Sequence, residues 1–255
     1  MAYITKTQKK VFFSVFSIIF IYFLWFLISL FYNNDYLFPS PHEVIIKILF
    51  YLKNTDIYIA IKNTFYHIFI SFSISFLSGL FFGIIAGFSE NFNFFIRPII
   101  ALIKIFPTIV FVLLFLVIIP NEYIIIAISF LIMFPIFFES IYAGIKNIDN
   151  EVISELKLDG AYFNDAIFRI YIPIIYPYIL LGVYQSLNLS FKLAIMAEII
   201  VGINNKYLCV GKMIHAEYMF ANISNVLALS FIVVFIIFFI NFLFFLINIF
   251  YKFKN

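Results

Sequence analysis

"SELKLDGAYFNDAIFRIYIPIIYP", Ser154–Pro177, decides how the chain is read. Its first sixteen residues carry five charges, Glu155, Lys157, Asp159, Asp165 and Arg169, in a chain that is only 11% charged and 65% hydrophobic. The pattern is helical: Phe163, Ile167, Ile170 and Ile174 recur at spacings of three and four, which marks one apolar face. Asp165 and Arg169 stand at i, i+4 on another side, a pair worth only a few tenths of a kcal/mol (~0.3). Gly160 follows the short charged helix predicted over residues 151–159 and is placed to end it in the left-handed conformation. Pro173 and Pro177 then mark the entry to an apolar run. The stretch predicts a short helix, a glycine bend, an amphipathic helix and a proline kink, which is a shaped docking element.

Outward from this segment the chain is too apolar for water. Soluble domains carry about 25% charged residues; these 255 residues carry 11%, and 22% are aromatic. Thirty-nine Phe against eight Gly also point to a base-composition bias, so no single Phe or Ile carries weight. A net charge of +3 without a concentrated basic face argues against a nucleic-acid partner. A spanning helix needs about 20 apolar residues, and six runs qualify: Val11–Tyr32, Thr64–Phe88, Pro98–Ile119, Tyr123–Ala143, Ile170–Ile195 and Val226–Phe250. The first is too long for a signal-peptide core and is followed by no small-residue cleavage site.

Lys and Arg concentrate in cytoplasmic loops, which sets the expected orientation. With the N-terminus inside, nine basic residues fall inside (Lys6, Lys9, Lys10, Arg97, Lys146, Lys157, Arg169, Lys252, Lys254) and five outside (Lys47, Lys53, Lys62, Lys206, Lys212). Both termini and the charged segment are then expected in the cytoplasm. In the first outer loop, Pro39 and Pro41 stop the chain, and Val44, Ile45, Ile48, Leu49 and Leu52 form an apolar stripe. That stripe fits either an interfacial helix or one packed on the bundle.

Few residues suggest chemistry. There is no G-x-x-x-x-G-K-[ST] loop to cradle phosphates, no G-x-S-x-G, and no paired His or Cys/His metal spacing. His42, His67 and His215 are far apart in sequence, and the single cysteine, Cys209, is read as a small apolar residue. No cofactor, metal or catalytic residue is assigned, and the chain is not expected to be an enzyme. Gln185, Asn188 and Lys192 share one face of the fifth run. Charges within the membrane usually face a cavity or a partner, so this face is a candidate translocation pathway. The bland alternative is that the amides bond neighbouring helices and Lys192 snorkels outward. Lys104 is expected to snorkel towards the cytoplasmic surface.

At this point the chain resembles a known family, the membrane permease subunits of ABC importers of the nitrate, sulfonate and taurine group, which also includes permeases for thiamine precursors. Gly160 and Pro173 stand thirteen apart and Ala161 follows the glycine, as in the cytoplasmic loop of those permeases. "YLFPSPHEV" after the first run, "KIFPTIVFVLLFLV" in the third and "PYILLGVYQSLNLSFKLAIMAEIIVG" through the fifth extend the resemblance from about Leu37 to the end. The sequence departs from the family where Ser154, Glu155 and Leu156 replace its Glu-Ala-Ala, Asp159 its leucine, and Phe191 its tryptophan.

The resemblance implies an all-α membrane protein of the type I ABC importer permease fold, with six transmembrane helices and both termini cytoplasmic. Residues 1–10 would form a cytoplasmic N-terminus and residues 11–255 one permease domain in the cell membrane, with a cytoplasmic coupling loop over residues 144–170. Ser154, Glu155, Leu156, Lys157, Leu158, Asp159, Gly160, Ala161 and Pro173 would couple this loop to a separate dimeric ATPase. A second permease copy would complete the pathway, and a periplasmic or lipid-anchored solute-binding protein would deliver the substrate. Glu198, within "AE" near the outer gate, joins the candidate pathway, with a structural or gating role set above direct substrate contact. The rival expectations are a stand-alone secondary transporter or channel, which often shows internal repeats not seen here, and a membrane-embedded enzyme.

Overall fold

A computed structural model describes residues 6–32, 38–148, 171–202 and 206–254. The described residues form nine helices and no strand: α1 (Lys6–Tyr32), α2 (Pro41–Lys53), α3 (Thr55–Phe88), α4 (Glu90–Ile105), α5 (Thr108–Ile118), α6 (Asn121–Lys146), α7 (Ile172–Val201), α8 (Val210–Met219) and α9 (Ile223–Lys254). Five of them are long and apolar enough to cross a membrane, and six spans result if the bent pair α4–α5 counts as one. The stretch from Ser154 to Ile170, with its expected bend at Gly160, lies outside the described residues. Pro173 is described and sits in the first turn of α7, where its missing N–H costs no helical bond.

The third run, Pro98–Ile119, is broken in the structure. The chain turns by 95° between α4 and α5. Pro107 explains the break: it supplies no N–H and drives the preceding residue out of the helical region, so Phe106 is extended at φ −66°, ψ 132°. The second span begins earlier than the apolar run indicated, at Thr55, because Asn54 caps it by accepting a hydrogen bond from the Asp56 N–H at 2.9 Å. Ser89 does the same between α3 and α4, accepting from the Phe92 N–H at 3.3 Å. Each cap is worth about 1 kcal/mol and lets one residue serve as the whole connection.

The core is α6 with α3 and α7 against its sides. Of the apolar stretch of α6, 56% is buried, against 6% for α1. The α3–α6 contact is close because α3 presents a small residue every fourth position: Ser71, Ser75, Gly79, Gly83 and Gly87, all buried. Ser71 and Ser75 donate to the carbonyls of Ile126 and Phe130 on α6, at 3.1 and 3.4 Å. Gly79, Gly83 and Gly87 lie against Phe137, Ile141 and Ile145 in turn, where a Cβ would collide. Without a hydrophobic drive inside lipid, such close backbone approach and interhelical hydrogen bonds are what hold spans together. On the other side of α6, Gly182 of α7 meets Ser140, and Gly144 meets Ile175.

Helix α2 packs on α9 through Val44, Ile48 and Tyr51, which is only part of the apolar stripe read from the sequence. Val44 is buried with Tyr51, while Ile45, Leu49 and Leu52 face outward. Ser40 caps α2 by accepting from the Glu43 N–H. Helix α1 is held at one place: the Trp25 indole stacks on Phe231 of α9 at 5.4 Å, and its N–H donates to the Pro39 carbonyl at 3.1 Å. Apart from Trp25 and the buried Ser29, residues 12–32 of α1 are exposed and mostly apolar, as suits lipid contact.

Candidate functional site

Two polar groups on α7 face different surroundings. Gln185 and Lys192 are exposed and Asn188 is half-buried, so this stripe lies open beside the packed face formed by Gly182, Ser186, Ser190 and Ala194. The Asn188 amide donates back to the Tyr184 carbonyl at 2.9 Å, within its own helix. The stripe therefore does not bond α7 to α6. In the angle of the broken span lies a cavity of about 340 Å³ bounded by α4, α5, α6 and α7, with Lys104, Thr108, Pro135, Leu189 and Leu193 in its wall. Lys104 does not simply snorkel: its ammonium donates to both carboxylate oxygens of Glu139 at 2.8 and 2.7 Å, tying α4 to α6 just before the bend.

Glu198 stands apart from these three residues. It is fully buried one and a half turns beyond Lys192. Its Oε2 accepts from the Thr64 hydroxyl at 3.0 Å and from the Gly211 N–H at 2.9 Å. The Val210 N–H donates to Thr64 Oγ1 at 3.2 Å, and the Asn63 amide to the Leu208 carbonyl at 2.8 Å. The carboxylate thus fastens the last turn of α7 to α3 and to the first turn of α8. Gly211 permits this, since any Cβ there would run into Glu198 Cβ and would stand 2.7 Å from the Ile195 carbonyl. Gly202 ends α7 at φ +53°, a conformation that other residues adopt only with strain, and it lies against the His215 ring.

Buried on the other side of the same carboxylate are His67 of α3 and Cys209. His67 Nδ1 lies 3.8 Å from Glu198 Oε1 and 3.9 Å from Cys209 Sγ. Spacing could not bring these residues together in the sequence analysis; the fold does. A local signal was the polar pair Asn63–Thr64 at the start of the apolar run of α3, about one turn before His67, which asks for a partner.

A third polar group lies outside the spans. Glu217 of α8 accepts from the Tyr51 hydroxyl at 2.9 Å and from the Asn222 and Asn225 amides at 2.9 and 2.8 Å. Burial works to raise its pKa, but hydrogen bonds from Asn225, Asn222 and Tyr51 and the nearby charge of Lys47 outweigh it and hold the carboxyl below its ordinary value.

The profile of one protein family, described as binding-protein-dependent transport system inner membrane component, matches residues 79–252. The chain belongs to this family. The match runs from Gly79 in α3 to near the end of α9 and so takes in the polar stripe of α7, Glu198, Cys209 and Gly211, while Thr64 and His67 precede it. The permease is therefore a multi-pass inner-membrane protein of an ABC transport system, a kind that works with a solute-binding protein and an ATPase. Comparison with curated proteins finds no match.

Proposed function

We propose that this permease forms the translocation pathway of an ATP-driven importer for a small solute, with six spans and both termini in the cytoplasm. Two copies surround the pathway, and Gln185, Asn188 and Lys192 line it. The observation that carries this reading is the open polar stripe on α7: its opposite face is packed on α6, yet the stripe keeps an ammonium within a membrane helix, where a charge needs a polar cavity or partner. A pathway between two permease copies supplies that cavity. The family match supports the importer class, and the resemblance to the nitrate, sulfonate and taurine group supports a small solute. Coupling to the ATPase runs through residues 144–170, with Ser154–Ala161 as the docking segment and Pro173 at the entry of α7. Glu198, being fully buried, acts in this scheme as a structural anchor of the outer gate.

Reconstitution tests the proposal. The permease, its ATPase and its binding protein are placed in proteoliposomes, and solute uptake and ATP hydrolysis are measured together. The expected result is uptake only with all three, no ATP hydrolysis by the permease alone, and loss of both ATPase association and uptake in Gly160→Val. ATP hydrolysis by the purified permease, or wild-type uptake and ATPase pull-down by Gly160→Val, overturns it.

A further inference from the structure

The buried triad of His67, Glu198 and Cys209 has the make-up of a metal centre. Its ligand atoms, one from each residue, lie within 4.8 Å of one another, and all three residues are buried. The second observation is Glu198 Oε1. The Oε2 atom of the same carboxylate is fully engaged by Thr64 and Gly211, but Oε1 is buried and accepts no hydrogen bond. It points towards His67 Nδ1 at 3.8 Å, too long for a hydrogen bond to a carboxylate, and Nδ1 in turn is 3.9 Å from Cys209 Sγ. Three ligand atoms thus surround a common point at separations longer than direct bonds require. One carboxylate oxygen is held by outer partners while the other is bare, as in a monodentate metal ligand oriented by its surroundings.

We propose that the permease binds one zinc-type divalent cation through His67 Nδ1, Glu198 Oε1 and the Cys209 thiolate. Metal–ligand bonds of about 2.0–2.3 Å place tetrahedral ligands roughly 3.3–3.6 Å apart, so modest rotation of the three side chains closes the site. Charge favours it: carboxylate, thiolate and a divalent ion sum to zero with neutral His67, which suits an apolar interior better than a lone buried carboxylate. The donor set selects the metal. Magnesium and calcium take oxygen ligands, whereas thiolate with imidazole suits zinc and its cobalt substitute. The ion joins α3, α7 and the residue before α8, the same three elements that Thr64 and Gly211 fasten. It is a clamp on this junction, and its binding is independent of which solute the permease carries.

The test uses the full-length permease in detergent, stripped with chelator, checked for an unchanged elution profile, and dialysed against zinc or cobalt. Bound metal is counted by mass spectrometry, thermal unfolding is followed with and without zinc, and the cobalt form is read for a thiolate-to-metal charge-transfer band. The expected result is one zinc per chain, a zinc-dependent rise in melting temperature, and the charge-transfer band. Cys209→Ser and His67→Gln should each weaken binding by at least about tenfold and remove the rise, while His42→Gln, outside the cluster, changes none of these. Cys209→Ser is nearly isosteric and decides the matter if His67→Gln does not fold. A folded wild type that takes up no stoichiometric zinc overturns the proposal, as does binding that survives unchanged in Cys209→Ser or cobalt uptake without the thiolate band.

Discussion

Lys192 and Glu198 sit on the same helix, are both ionisable, and have opposite fates. Glu198 is enclosed by α3 and α8 and has a hydrogen bond from each on one oxygen. Lys192 is exposed on a stripe that contacts no other described helix through a hydrogen bond or ion pair. A buried carboxylate is tolerable where donors are held around it, and Thr64 and Gly211 supply them to Glu198. A charge on an open face is free to meet a solute or a second copy, so the region of Lys192 has room to change. One helix thus joins an enclosed end to an open middle.

The largest effect is expected where the enclosed end is tightest. Gly211→Ala places a methyl group against Glu198 Cβ and the Ile195 carbonyl, with no flexible neighbour to give way. The overpacking, about 1–3 kcal/mol, comes on top of the Glu198 hydrogen bonds lost as α8 is pushed away, and should be seen as a clear fall in melting temperature and in folded yield from membranes. A wild-type melting curve for this variant would mean that α8 is not held to α7 as described.

Next comes a direct contrast of the two charges. Glu198→Ala leaves the Gly211 N–H and the Thr64 hydroxyl buried without an acceptor and should destabilise the permease by about 2–6 kcal/mol, at roughly 1–3 kcal/mol per orphaned group. Lys192→Ala should shift stability by less than about 0.5 kcal/mol, as for other exposed positions, yet lower uptake at normal ATPase association. The pair of melting curves and uptake rates sharpens the comparison if the two losses separate. If Lys192→Ala lowers stability and uptake together, the division of α7 fails.

The smallest effect is on acid stability outside the spans. Glu217 has a folded pKa below the ordinary carboxylate value of 4.5, so its contribution is fully present above that value and is lost as pH falls through it towards the lower folded pKa. Asn225→Ala removes one of the hydrogen bonds that lower it and should flatten the acid limb of a stability-against-pH curve, with no change near neutrality beyond the loss of the bond itself. An unchanged acid limb would show that Glu217 does not titrate differently on folding.

Composition and run length sufficed for the all-helical membrane class, because a chain with so few charges can hide its backbone polar groups only in helices once it is in lipid. Periodicity also placed Gln185, Asn188 and Lys192 on one face of α7, since the helical repeat alone determines which residues share a side. The Pro107 break was written in "KIFPTIV", yet run length alone read through it, because hydropathy averages over a proline that the backbone cannot ignore. The spacing of Ser71, Ser75, Gly79, Gly83 and Gly87 was likewise present in the sequence, but only packing shows that α6 is what they admit. The polar junction was beyond any sequence pattern. Thr64, His67, Glu198, Cys209 and Gly211 come from three separate parts of the chain, and their meeting depends on how α3, α7 and α8 cross. Local sequence determines which residues share a helix face; which faces meet is decided by the close packing of whole helices, and a buried carboxylate is tolerable only after that packing has brought its donors to it.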